Sequence, residues 1–332
     1  MRPAFRLEAD GADRTAELSD RLMSIRVTDA AGVESDEVEL QFDNRGRAIE
    51  APRKGAVLAL WIGWEGREPV YQGRFTVSGR SSSGPARVLT IKAKAADMRA
   101  SLKAAKSRSW RGTTVGALVG VIAGEHGLKA AVAADLAAQA VPHRDQANES
   151  DLHFVTRLAK EMGAVAAPKD GKLVFAPRGR GQSASGRSLA AVTFTPADLL
   201  DWSADDDDRA DTGSVKARWR DLKAAKTKTA KAGSDAGPAK TLRRTHRSEA
   251  EAKAAAKAAH GDAKRASKRL TLKMVGRPEL TAETPIVTTG LDDIADGRWP
   301  ASKVEHSIDW SSGGFTTTVS AEPETPGEGA GA

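Results

Sequence analysis

The chain has 332 residues, 51 Lys and Arg against 44 Asp and Glu, a formal net charge of +7, and no cysteine. That length predicts two or three domains, and the missing thiols exclude disulfides, thiolate zinc sites, iron–sulfur clusters and a cysteine nucleophile. Residues 221–270 hold 14 Lys and Arg against 5 Asp and Glu, so this one segment is net +9 and the rest of the chain is near neutral at −2.

The first residues, Met1 to Arg6, lack the apolar core of a signal peptide. The apolar run Ala56–Ile62 is far too short to span a bilayer. We therefore expect a protein made in the cytoplasm with no membrane anchor. Residues 21–94 read as strands. Val38, Leu40 and Phe42 alternate with Glu39 and Gln41, Val57–Ile62 is a continuous apolar strand, and 71–77 and 87–93 repeat the alternation. Short strands at this spacing predict a small barrel or sandwich.

Around residue 113 the period changes. Thr113 or Thr114 caps a helix with apolar positions Val115, Leu118, Val119 and Ile122, and Gly116, Gly120 and Gly124 fall on one face suited to close packing. A second helix is predicted to start at Asn148 as N-cap, with Glu149, Ser150 and Asp151 in its first turn. Its apolar stripe is Leu152, Val155, Leu158, Ala159 and Met162, and Gly163 ends it. A short strand, 172–176, follows.

From Ala191 the pattern returns to β, with strands expected at 192–195, 215–219, 270–275, 286–289, 302–309 and 315–321. The acidic run from Asp198 to Asp211 reads as a solvated loop; it lacks the Gly and distal Glu of a calcium loop. Residues 223–240, made of Ala, Lys, Thr and Gly, read as a flexible linker. Ser248 and Glu251 form a capping box for a helix polar nearly all round, solvated or docked on a partner. The tail 323–332 reads as disordered.

Chemical motifs are sparse. The six histidines show no H-E-x-x-H spacing, Gly179-Arg180-Gly181 lacks the rest of a phosphate loop, and no G-x-S-x-G elbow occurs. We expect no metal, no cofactor and no catalytic set.

The stretch Asp145-Gln146-Ala147-Asn148-Glu149-Ser150-Asp151, followed by Phe154 and Arg157-Leu158-Ala159, resembles a signature of the late-control-D family of contractile-tailed phages. The hub region of VgrG in type VI secretion carries a similar stretch. Segments 19–24, 53–58, 61–64, 73–77 and 283–285, with Trp299, Lys303-Val304-Glu305-His306 and Ser312-Gly313-Gly314-Phe315-Thr316-Thr317, resemble the phage branch in order. The resemblance implies a mainly β fold: two tail-tube-like β-barrel domains (1–105 and 186–322) separated by a smaller α+β domain (106–185). The second barrel is interrupted by a basic linker and helix at 221–270. It also implies a baseplate central hub of a contractile tail, in the virion tail after assembly in the host cytoplasm. The hub would be a homotrimer that joins a hexameric tail tube to a separate trimeric spike beside other baseplate proteins. Asp145, Gln146, Asn148, Glu149, Ser150, Asp151, Phe154, Trp299, His306, Gly314 and Phe315 are its motif residues, with structural roles. The rival readings are a DNA-binding late-gene regulator, supported only by the basic insert, and a cell-wall hydrolase.

Overall fold

The computed structural model describes residues 1–31, 36–95, 100–169, 171–177, 189–207, 213–221, 224–234, 237–311 and 314–323. Gly179–Gly181, Asp208, Asp211, Ser312, Gly313 and the tail 324–332 lie outside the described residues.

The first unit holds β1 (Pro3–Ala9), β2 (Ala12–Asp13), α1 (Thr15–Leu18), β3 (Leu22–Ala30), β4 (Glu37–Asp43), β5 (Val57–Trp64), β6 (Val70–Ser83) and β7 (Val88–Ala95). The strands pair antiparallel in the order β3-β4-β7-β6-β5-β1-β2. The alternation read from the sequence sets the faces: Val38, Leu40 and Phe42 are buried with Ile25, Leu60 and Phe75, while Glu39 on the outer face pairs with Lys92 at 3.1 Å.

The middle unit holds β8 (Ala105–Thr114), α2 (Val115–Glu125), β9 (Lys129–Val132), α3 (Ala134–Ala137), β10 (Ala140–Ser150), α4 (Asp151–Glu161), β11 (Ala164–Lys169) and β12 (Lys172–Pro177). β8 and β10 form a two-stranded ribbon, and β11-β12-β9 a small mixed sheet. The core gathers Val115, Leu118, Val119 and Ile122 of α2 with Phe154, Val155 and Leu158 of α4. Thr114 caps α2, its Oγ1 accepting from Ala117 N. Of the three α2 glycines only Gly116 packs closely: a Cβ there would lie 3.1 Å from Ala137, whereas Gly120 and Gly124 face open space.

The last unit holds β13 (Val192–Phe194), β14 (Asp201–Asp206), β15 (Ser214–Asp221), β16 (Lys226–Gly233), β17 (Ala239–His246), α5 (Glu249–Ser267), β18 (Lys268–Val275), β19 (Pro285–Thr288), β20 (Gly297–Asp309) and β21 (Gly314–Ala321). β14, β18, β21 and β20 pair in that order around a core of Phe194, Leu270, Leu272, Met274, Val304 and Val319.

The fold is thus mainly β with an α+β insertion. The two β units are not separate, however. β3 pairs with β20, so 13 strands form one continuous sheet. Ile308 and Phe315, from the last hairpin, are buried in the first unit's core.

Five expectations are corrected. The supposed linker at 223–240 contains β16 and the first residues of β17, and these strands flank β15 in a three-stranded sheet. The 215–219 strand therefore belongs to this sheet rather than to the second β unit. The polar helix α5 docks on its own chain. Ala252 and Ala256 pack on Val215, Ala217 and Ala230, since alanine lets a helix sit close to a sheet. Ser248 caps α5 as read, but Glu251 Oε2 accepts from Arg247 N rather than closing the box on Ser248. The acidic run is in part an edge strand, β14, and Asp198 closes a capping box with Thr195, the cap of the 3-10 turn at 196–198, accepting from Thr195 N at 2.9 Å.

The sheet-and-helix insert leans on the middle unit through charges. Arg144 lies 3.2 Å from Glu251 and 3.6 Å from Glu161, Arg244 pairs with Glu161, and Arg247 donates to His143 O at 3.2 Å.

Candidate functional site

The motif 145–151 makes a bend, not a helix start. β10 runs to Ser150, and its ladder with β8 slips between Gln146 and Glu149. Two residues, Ala147 and Asn148, bulge opposite Ser107. Asn148 takes φ +48 there, a conformation asparagine tolerates, and its N–H donates to Ser107 Oγ at 3.0 Å. The cap of α4 is Ser150, whose Oγ accepts from His153 N at 3.2 Å; this corrects the assignment to Asn148.

The bulge turns Gln146 and Asp151 inward to meet. Asp151 is fully buried at the first position of α4. Its Oδ1 accepts from Arg108 at 2.6 Å and Gln146 Nε2 at 2.8 Å. Its Oδ2 accepts from Lys106 at 2.6 Å and lies 2.8 Å from His126 Nε2, which must carry the proton because an ionised carboxylate only accepts. Burial alone would raise the Asp151 pKa, but the bonds from Lys106, Gln146 and His126 and the charge of Arg108 pull it down to about 2. Glu125, at the end of α2, accepts from the same Lys106 (2.8 Å) and Arg108 (2.6 Å). One carboxylate pair and two cations thus tie β8, α2, β10 and α4 together. Around them, Glu149 holds Arg157 at 2.7 Å, Asp145 accepts from Ser109 Oγ at 2.6 Å, and Phe154 stacks on Trp110 with centroids 6.1 Å apart.

Glu125, His126 and Asp151 bring their ligand atoms within 4.8 Å of one another. The donor set does not suit a metal ion, because Lys106 and Arg108 already occupy both carboxylates and would repel a cation.

The C-terminal motif residues sit elsewhere, at the joint of the two β units. His306 is buried. Its Nε2–H donates to Leu280 O (3.1 Å), and its Nδ1 accepts from Thr317 Oγ1 (3.0 Å), which in turn accepts from Arg277 N (2.8 Å). Burial holds the imidazole below its usual pKa, so it stays neutral. Phe315 lies 6.1 Å from the His306 ring and 5.1 Å from Trp64 of the first unit, and Trp64 Nε1 donates to Gly276 O. Gly314 opens β21 at φ +71, a backbone that favours glycine. Trp299 is apart from this group, in the core of the last unit, its Nε1 donating to Ala295 O at 2.9 Å.

All three units meet at Asp29. Lys169, from the end of β11, lies 2.5 Å from Asp29 Oδ1 and 3.4 Å from Asp36, and Asp29 Oδ2 accepts from Ala282 N of the last unit. Burial pushes Asp36 up to about 7 against the pull of Lys169, with the charge of Asp29 adding to the rise. At Asp29 burial again pushes upward, but the charge and hydrogen bond of Lys169 together with the bonds from Ala282 N and Asp36 hold the carboxylate below its ordinary range.

A family model described as phage tail baseplate hub (GPD) matches residues 51–311. The chain belongs to the phage tail baseplate hub family. The hub is 33% identical to the probable baseplate hub protein of Escherichia phage 186 over 97% of this chain and 93% of that one. It is 32% identical to the corresponding protein of Escherichia phage P2, with the same coverage. Its fold matches the 43 kDa tail protein of prophage MuSo2 from Shewanella oneidensis with a TM-score of 0.74 over 96% of this chain and 98% of that one, at 15% identity. The chain is a structural hub of a phage tail baseplate. These comparisons support that role and neither a late-gene regulator nor a hydrolase.

Sequence reading missed most partners of the motif. Lys106, Arg108, Glu125 and His126 alternate or abut at element ends without any local signature, and only the ladder of β8 with β10 shows which of them reach Asp151. Asp29, Asp36, Lys169 and Gly276 gave no signal at all; each matters through a contact more than a hundred residues away in the chain, or, for Gly276, through a ring 39 residues on.

Proposed function

We propose that this hub acts as a homotrimer that joins a hexameric tail tube to a separate trimeric spike, next to other baseplate proteins, after assembly in the host cytoplasm. The observation that supports it is that one chain carries two β units locked in fixed relation by the β3–β20 ladder. Three such chains offer six units to a six-fold tube while keeping three-fold symmetry toward a spike. The working limits of the units are 1–105, 106–185 and 186–322, with the insert of the last unit taken as a folded sheet and helix. The motif residues act as scaffold: their carboxylates are held by cations and hydroxyls, so the reading is of a non-enzymatic part.

The test is mass by light scattering of the purified hub, alone and with its spike, followed by imaging of the isolated tail. A three-chain mass is expected. A single hub chain inside an assembled tail would overturn the proposal.

A further inference from the structure

The two β units repeat one another strand for strand. In the first, β4 pairs with β3 and β7, and β6 with β7 and β5. In the last, β18 pairs with β14 and β21, and β20 with β21 and β19, all antiparallel and in the same chain order. The match extends to single residues. β6 slips by one residue at Ser78 against β7, and β20 by one at Ser302 against β21. Each serine donates to a carbonyl across the slip, Ser78 Oγ to Lys92 O at 3.2 Å and Ser302 Oγ to Ser320 O at 3.1 Å. The residue before the slip, Val77 or Ala301, bonds through both backbone groups to residues 55 and 56 or 283 and 284. Residues 77–83 of β6 thus correspond to 301–307 of β20. Counted through β4 and β18, residues 24–29 of β3 correspond to 201–206 of β14. Of the two cross-pairings this repeat allows, the chain makes one: β3 lies along the open side of β20, with Thr28 opposite Glu305 and Val27 opposite His306. The reciprocal pair is β14 with β6. Among the described residues β14 pairs only with β18, and the β5 ladder leaves β6 at Thr76. Ser78 and residues 80–83 are exposed, and six strands stand between β14 and β6 in the sheet order.

We propose that β14 pairs antiparallel with residues 78–83 of β6 in a second copy of this chain, in the register that β3 and β20 use. The receiving edge must offer what β20 offers to β3, and β6 repeats it. Ala31 N donates to Ser302 O, so by alternation the backbone groups of 304 and 306 face β3, and those of Arg80 and Ser82 face away from β7. The register sets Arg80 opposite Asp206 and Ser81 opposite Asp205. β14 carries Asp201, Asp205 and Asp206, all exposed, whereas 78–83 reads Ser-Gly-Arg-Ser-Ser-Ser, with a cation and no acid. Two β14 edges laid fully side by side would set Asp201 against Asp206, and like charges directly opposite are destabilising. The acidic edge therefore favours β6 over its own copy. Open strand edges template pairing with another chain. A head-to-tail contact of this kind closes into a ring or runs on as a filament. Closure after three copies rests on the trimer proposed above; the ladder assigns which strands meet and in what register.

The chain has no cysteine, so single pairs can be introduced without background. In Ser81→Cys/Asp205→Cys the two thiols stand directly opposite across the contact. Copper-phenanthroline oxidation of the purified hub and of isolated tails should give covalent dimers and trimers on non-reducing gels, with the 81–205 linkage read by mass spectrometry. Ser81→Cys/Asp201→Cys sets the thiols four residues out of register, about 13 Å apart and beyond disulfide reach. It should give less than a tenth of that yield. Ser82→Pro removes an outward N–H and spares the β7 ladder. It should reduce the three-chain species in light scattering at least tenfold, with an unchanged circular dichroism spectrum. If that variant fails to fold, the cysteine pairs carry the test. A three-chain mass without the 81–205 linkage overturns the ladder and leaves the trimer standing, whereas a single hub chain in isolated tails overturns both. Equal cross-linking of the two cysteine pairs, or a folded Ser82→Pro variant that keeps its three-chain mass, also overturns the ladder.

Discussion

Replacing Asp151 by asparagine keeps the shape of the side chain and removes its charge. Each carboxylate oxygen of Asp151 faces two donors, Arg108 and Gln146 on one side, Lys106 and His126 on the other. Whichever way the amide turns, its NH2 points at two N–H groups. His126 can answer by moving its proton to the other ring nitrogen and accepting, but Lys106 and Arg108 have no acceptor to offer. Breaking a buried ion pair from one side costs about 3–5 kcal/mol, and the loss expected for Asp151→Asn is at the lower end because Glu125 still holds both cations. A second signature is the acid limb. A carboxyl at about 2 instead of 3.8 contributes roughly 2.5 kcal/mol. That stability is present above pH ~4 and is lost as pH falls toward 2. The variant should therefore show a shallower decline below pH 4. Because the chain has several units, the readout is amide exchange in α4 under native conditions, measured alongside urea unfolding. A loss below about 0.5 kcal/mol at pH 7, or an acid limb as steep as the parent's, would show that the network does not hold the middle unit together.

Gly276→Ala would place a methyl 2.2 Å from the Phe315 ring, which Trp64 and His306 hold in place, so a loss of about 1–3 kcal/mol is expected in thermal unfolding, with much of it recovered beside Phe315→Leu. Ser150→Ala should cost about 1 kcal/mol through the lost cap of α4, whereas Asn148→Gly should keep or raise stability in the same melts, since φ +48 suits glycine better. At Asp36 the pKa is raised to about 7, so its contribution to stability is full below pH ~4, declines as pH rises to about 7 and is level above. Asp36→Asn should abolish a decline of about 3 kcal/mol between unfolding free energies measured in urea at pH 4.5 and 7.5.

Period-2 and period-3.6 patterns were enough to find the first β unit, α2, α4 and the last hairpin, because each buries large side chains on one face. They failed at 223–240 for a physical reason. β15 and β16 bury Ala217 and Ala230 beneath an alanine-faced helix, β17 adds only Leu242, and Trp219 is among the few other large side chains, so hydrophobicity gives little contrast between faces. The alternation of Lys and Thr from 226 to 229 was the available signal. At the motif, the residues were recognisable but their geometry was not. The Asn-Glu-Ser-Asp string offers two good caps, and only the bulge opposite Ser107 decides that Ser150 caps the helix. The cations that neutralise Asp151 arrive from a strand some 43 residues earlier, a distance no local pattern spans.

The ladder between β3 and β20 also sets a clock for biosynthesis. Ile25 pairs with Ile308, so 283 residues must leave the ribosome before the first unit gains its last neighbour and the Phe315 ring that completes its core. At 5–20 residues per second that wait is roughly 15–60 s. Throughout it the nascent chain carries β3 as an open strand edge, able to accept any extended segment, including the same hairpin from a neighbouring ribosome on one message. Strand exchange between sister chains is then the misassembly expected of such a topology, and slowing translation of the codons for β20 and β21 should increase it.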